Sequence, residues 1–211
     1  YDNRVADIPL MVCICQGETQ SPFIKGSMDY EKYLRTAEKY GDRKEAFLSL
    51  AKVEDDAGAD ALTAGDAFNS FLSGSRGFCE LRSGAGQRVY YGIFDHDIPG
   101  DDAGSFHGSE LWFMFDSLGN SWRPFEGKHY DLARQVASYW TNFVKNLDPN
   151  GRDYNGNPLP VWEPYQKENK AVMRFLEKAT PEALPECPIL DFRLACGKEV
   201  FADGRAQESA R

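Results

Sequence analysis

Histidine is scarce, cations are outnumbered and no long apolar run interrupts the chain; each shortage removes a class of function. Lys and Arg number 24 against 33 Asp and Glu, a formal net charge of −9. A surface this acidic repels phosphate backbones and anionic lipid, so neither nucleic acid nor a membrane surface is expected as a partner. The longest apolar stretch, residues 8–15, falls far short of the roughly 20 residues a membrane-spanning helix needs. The five cysteines are an odd number, so they cannot all pair within the chain. Cys13 and Cys15 share a strand face but lack the C-x-x-C partner of a zinc knuckle, and both read as small core residues. There is no Asn-x-Ser/Thr sequon. Both observations suit a reducing cytoplasm, with secretion left open. Only three histidines are present, and no metal or other cofactor is expected.

What the sequence does have is enough apolar matter for a core. Of 211 residues, 42% are hydrophobic and 13% aromatic, which excludes wholesale disorder. Residues 8–15 are apolar on both faces and stop at Gln16-Gly17, as a buried parallel strand does. Helical spacing follows from Asp29 to about Val53, broken near Gly41-Asp42, and again from Ala64 to Leu81. Arg88 to Phe94 reads as a second strand, rich in aromatic and β-branched residues. The clearest amphipathic helix is Asp131 to Leu147, with Leu132, Val136, Tyr139, Trp140, Phe143, Val144 and Leu147 on one face. It ends at Asp148-Pro149-Asn150-Gly151. A third strand is expected from Ala171 to Leu176, then a partly extended, Pro-containing tail over 181–211.

Strands separated by helical stretches make the class α/β. Three strands are few for an open sheet. With the start at Tyr1 rather than Met, this gives the expectation that the sheet is incomplete and that the chain is a cut from a larger protein. Residues 1–180 then form part of one domain. An uncovered central strand invites pairing, so self-association or tight binding to the missing part is expected.

Few residues carry chemistry. His129, beside Lys128 at a helix entry, reads as a surface residue. His96, between Asp95 and Asp97, reads as a solvated loop residue. His107 stands just past a strand–loop unit, between Gly104 and Gly108, where open α/β sheets gather their ligands. Its imidazole is either a loop-packing group or a general base and acid. Glu18 directly follows the first strand and is either a solvated turn residue or the carboxylate that orients that imidazole. The Asp/Asn/Gly-rich stretch from Asp148 to Asn157 has the flavour of a calcium loop but fails its spacing, with Leu159 where a Glu is required.

Phe106-His107-Gly108-Ser109-Glu110-Leu111, followed by Phe113-Met114-Phe115, resembles the histidine region of the type-B carboxylesterases, the cholinesterase-like branch of the α/β-hydrolases. Tyr139-Trp140-Thr141-Asn142-Phe143 with Asp148-Pro149-Asn150-Gly151 resembles that family's later helix and stop. Val161-Trp162-Glu163-Pro164-Tyr165 is similar to its Trp-Pro-x-Tyr segment, and Val89 to Phe94 to its strand before the histidine. Residues 8–18 are similar to the strand and turn that carry its acid, although the family usually has Gly at the position of Cys13.

The resemblance implies the C-terminal part of an α/β-hydrolase fold, mostly parallel and flanked by helices. It implies a carboxylic ester as small-molecule substrate. His107 would be the general base and acid, Glu18 the orienting acid, and Glu110 a structural support. Trp112 and Phe113 either wall a substrate pocket or fill the core. The family's Gly-x-Ser-x-Gly elbow and its oxyanion loop are absent. Ser73-Gly74-Ser75-Arg76-Gly77 lacks the first Gly and lies in a helical stretch, which argues against Ser75 as nucleophile. The nucleophile is therefore expected in an N-terminal part outside this chain, and the isolated chain is expected to be inactive. The alternative is a non-catalytic interaction or adhesion module on the same fold.

Overall fold

A computed structural model describes residues 6–18, 28–64, 68 and 70–197. They fall into two compact units. One contains residues 28–64, 68, 70–77 and 185–197, the other residues 6–18 and 78–184.

The second unit carries the sheet. Its strands are β1 (Leu10–Cys15), β2 (Val89–Phe94), β3 (Ala171–Phe175) and β4 (Ala179–Ala183), in the order β1-β2-β3-β4. β1 runs parallel to β2, with Leu10 opposite Val89 and Cys15 opposite Phe94. β2 runs parallel to β3, and β4 turns back antiparallel, with Phe175 opposite Ala179. Every residue of β2 is buried, as a central parallel strand covered on both faces must be.

Gly92 is needed in β2 for space. A Cβ there would lie 3.0 Å from the Trp162 ring and 3.1 Å from Cys13 Sγ. Trp162 uses that room to donate its Nε1–H to Tyr91 O at 3.1 Å. Around it, Tyr139 and Phe175 make edge-on ring contacts at 5.4 and 5.6 Å, the geometry that ring quadrupoles favour.

The helices of this unit are α5 (Glu110–Met114) and α6 (Gly127–Asn146). α6 buries Leu132, Ala133, Val136 and Tyr139 against the sheet core. It ends where Leu147 enters the left-handed region at φ 57°, followed by Pro149, which cannot extend a helix. The first unit contains α1 (Tyr30–Glu38), α2 (Lys44–Leu50) and α3 (Asp56–Ala64), together with a helix over 188–197, here α7. Its core is aromatic: Phe47 lies among Tyr33, Tyr40, Phe68 and Phe192. The boundary between units falls within α4 (Ser70–Gly84).

Four differences from the sequence reading have physical causes. β4 spans position 180 with the unlikely strand sequence Ala-Thr-Pro-Glu-Ala; it pairs only with β3 and so stands at an edge, where Pro is tolerated. α7, which no sequence signal marked, forms inside the stretch read as a partly extended tail, where Ile189 and Phe192 pack on the aromatic cluster. His96 is not solvated: it is buried, and its Nδ1–H donates to Leu176 O at 2.8 Å. His129 is not a surface residue: it is buried, and its Nδ1 accepts the Glu126 N–H at 2.8 Å, closing the start of α6.

Candidate active site

The site forms where β1 and β2 end. Gln16 N–H still donates to Phe94 O at 2.8 Å, so the chain leaves β1 under the control of the sheet. It then turns. Gly17 N–H donates to Ser105 O at 3.0 Å, and Gly17 forms a parallel bridge with Phe106. A Cβ on Gly17 would lie 2.7 Å from Ser105 O, so this approach of two backbones requires glycine. The contact joins the turn that carries Glu18 to the loop that carries His107.

The Glu18 side chain has a partner for each oxygen. Oε1 accepts the Cys15 backbone N–H at 3.0 Å, and Oε2 meets Nδ1 of His107. The two residues are 89 apart in sequence. The Glu18 side chain is 6% exposed and the His107 side chain 74%. Glu18 therefore sits as a buried anchor, and the imidazole stands at the surface. Gly104 at φ 62° and Gly108 at φ 82° supply the sharp turns on either side of His107, conformations that glycine adopts without strain. The hydrogen bond that His107 donates to Glu18, and the charge of that carboxylate, raise the His107 pKa above the ordinary 6.5, and Glu110 adds to the rise.

Glu110 opens α5 and is held from behind. The Cys15 thiol donates to Glu110 Oε2 at 2.7 Å. Burial, then the Glu110 carboxylate, pushes that thiol up to about 12. Cys15 thus serves both carboxylates, Glu18 through its N–H and Glu110 through its S–H.

Phe113 is fully buried, with ring contacts to Phe94 at 5.0 Å and Phe125 at 5.7 Å. This corresponds to the core-filling alternative left open by the sequence. Trp112 is half-buried and meets Phe106 edge-on at 5.9 Å. A cleft of about 250 Å³ opens beside the site between Gln16, Gly17, Asp95, Asp97 and residues 103–105; neither Trp112 nor Phe113 lines it. Ser75 lies within α4, its Oγ donating to Phe71 O at 2.5 Å. No group of three or more metal-ligating side chains occurs among the described residues, and none of their helices is long and apolar enough to cross a membrane.

Sequence reasoning missed three supports of this site. Arg174 Nη1 donates to Asp95 Oδ2 at 2.9 Å and to Gln16 Oε1 at 3.2 Å, tying the ends of all three parallel strands. Arg123 holds the loop before His107, and Ser105 receives Gly17. No motif marks any of them, because their partners lie far away in sequence.

Comparison with known proteins gives a consistent result. A family model described as the carboxylesterase family matches residues 63–187. Carboxylesterase 4A of Bos taurus is 29% identical over 150 residues, covering 66% of this chain and 23% of that protein. Cocaine esterase of Homo sapiens is 34% identical over 79 residues, covering 37% and 13%. Acetylcholinesterase of Gallus gallus is 30% identical over 92 residues, covering 42% and 12%. The chain therefore spans less than a quarter of the length of these relatives. Among solved structures, an esterase of Clostridium hathewayi, described as hydrolysing aliphatic aromatic polyesters, superposes with a TM-score of 0.55 at 23% identity. That match covers 91% of this chain and 38% of the esterase. At that identity the likeness speaks for the fold alone, a partial α/β-hydrolase.

Proposed function

Because the chain belongs to the carboxylesterase family, we propose that it supplies the histidine and the acid of a Ser-His-Glu site that hydrolyses carboxylic esters, with the serine carried by a part of the protein outside these residues. The observation that carries this reading is the Glu18–His107 contact, with the other Glu18 oxygen fixed by the Cys15 N–H. Glu18 binds the Nδ1 proton, so the lone pair is on Nε2. Nε2 takes the proton from the serine hydroxyl as its oxygen attacks the ester carbonyl. The imidazolium is stabilised by Glu18 and returns that proton to the departing alkoxide, which leaves as the alcohol. Water then repeats the sequence on the acyl-enzyme: its proton goes to Nε2, its oxygen bonds to the acyl carbon, and the serine departs with the proton. The exposure of His107 supports this role, since its ring is accessible to a serine presented from elsewhere.

A non-catalytic module would not need a carboxylate fixed on both oxygens behind an exposed imidazole. We therefore keep the catalytic reading. The test uses two proteins. In this chain alone, p-nitrophenyl acetate should show no saturable hydrolysis above a His107→Ala control. In the chain joined to its elbow-bearing N-terminal part, Glu18→Gln should lower kcat strongly and leave KM nearly unchanged, because the carboxylate acts on the transition-state imidazolium. Near-normal kcat for Glu18→Gln would overturn the acid assignment.

A further inference from the structure

The loop that delivers His107 is held at two places. One is the backbone contact of Gly17 with Ser105 and Phe106, already described. The other is a single side chain, Arg123, which follows α5 in sequence. Its guanidinium forms a fork onto Asp101, Nη1 to Oδ1 and Nη2 to Oδ2, each 2.9 Å. Nη1 also donates to Pro99 O at 2.9 Å. Among the described residues, the hydrogen bonds that tie residues 99–104 to another segment go to Arg123. The other contact of Asp101 is internal to the loop, accepting Ala103 N–H at 3.1 Å.

The same guanidinium is a seat for rings. Its centre lies 5.1 Å from the Phe106 ring, 5.9 Å from Trp112 and 4.9 Å from Trp122, all within the roughly 6 Å over which cation–π attraction acts. Phe106 immediately precedes His107. Gly100, at φ 109°, packs beneath Trp122 and Pro124, where a Cβ would come within 3.3 Å of the indole and 3.1 Å of the proline. The Arg123 side chain is 7% exposed, and its Nε is buried without an acceptor. An ordinary surface ion pair carries no such burden. A planar fork that binds a carboxylate edge-on and stacks its faces on aromatics is a task for Arg and not for Lys.

We infer that Arg123 is a positioning residue for His107: by gathering Pro99, Asp101 and the Phe106 ring at one pivot, it fixes the loop so that the imidazole reaches Glu18. The inference rests on the Glu18–His107 reading proposed above and adds a residue that touches neither partner.

The test reads the His107 imidazole directly, by NMR titration of the histidine-labelled chain. The charged groups that act on His107 are Glu18 and Glu110. In wild type the His107 pKa should lie above 6.5, and Glu18→Gln should remove most of that elevation. Arg123→Met should remove more than half of the same elevation while the circular dichroism spectrum stays unchanged. The direction is decisive: loss of a nearby cation alone would raise an imidazole pKa, whereas release of the loop from Glu18 lowers it. Arg123→Lys, which keeps the charge but loses the fork, should also lower it, by less, and serves if the Met variant fails to fold. A rise in Arg123→Met, or no change in either variant while Glu18→Gln still responds, would overturn the positioning role and leave the pair intact. No response to Glu18→Gln would overturn the pair, and this inference with it.

Discussion

Replacing Gly17 by Ala tests whether the two backbones that carry the site must touch. The added Cβ would lie 2.7 Å from Ser105 O and 3.2 Å from Ser105 C, whereas ordinary contact begins at 3.4 Å. Both atoms are backbone, so no rotamer change relieves the clash, and the two backbone segments must separate by roughly the 0.7 Å shortfall, as overpacking requires. Gly17 N–H to Ser105 O, now 3.0 Å, would then pass beyond hydrogen-bonding distance. Overpacking of this kind costs about 1–3 kcal/mol, and the lost hydrogen bond adds about 1 kcal/mol. Urea unfolding should therefore show a loss of about 2–4 kcal/mol. Because the movement separates Glu18 from the His107 loop, the His107 pKa should fall towards 6.5 in the same variant. Stability within about 0.5 kcal/mol of wild type with an unmoved His107 titration would refute the argument. The Glu18–His107 distance would then be set elsewhere.

Gly74→Ala is the matched control, since nothing lies within 4 Å of its Cβ position in α4; it should stabilise by up to about 1 kcal/mol in thermal or urea unfolding. Trp162→Ala should cost about 3–5 kcal/mol, measured the same way, because it empties the contact of Tyr90, Tyr139 and Phe175 and leaves Tyr91 O without its indole donor. The two histidine shifts act on stability in opposite directions. Burial lowers the His96 pKa below 6.5, so its contribution is present above 6.5 and is lost as pH falls through the folded value. The raised pKa of His107 gives stability that is present below 6.5 and lost as pH rises through the folded value. Unfolding free energy followed against pH should show the acid-side decline in wild type and a shallower one in His96→Gln. Burial raises the thiols of Cys15 and Cys79 to about 12, so a disulfide reagent at mildly alkaline pH should modify neither until the chain is unfolded.

The parts of the fold legible in the sequence are those whose pattern is local. Residues 8–15 carry an unbroken apolar run and residues 89–94 an apolar and aromatic one, the latter in a strand buried along its whole length, and α6 repeats its apolar residues with helical period because one face meets the sheet. β4 has neither signal. It is a strand because β3 offers it five residues of ladder, and Pro181 survives there only at an edge. α3 falls between the two helical stretches legible in the sequence, because its Ala- and Gly-containing segment has few large apolar residues to mark a face. The misreading of His96 and His129 has one cause: charged neighbours suggested solvent, whereas their burial depends on Leu176, Phe113 and Phe125, which approach only in the folded chain.

The site divides along the same line. Glu18 and His107 could be singled out because each follows a strand end, and the parallel register of β1 with β2 brings those ends together. Their distance and mutual orientation are set by residues without any chemical signature. Gly17 acts by lacking a side chain, Cys15 by a backbone amide, and Arg123 through a loop it does not belong to. This division is what the chemistry requires. An acid that is to stabilise an imidazolium must be fixed before the proton arrives, since any reorganisation at that moment adds to the barrier. The buried Glu18, with an amide on one oxygen, meets that requirement. In the proposed role His107 has to stay open on the side from which a serine would approach, and it is exposed. The unequal burial of the two side chains, 6% against 74%, fits the two proposed roles better than it fits an ordinary surface ion pair, whose partners are both exposed.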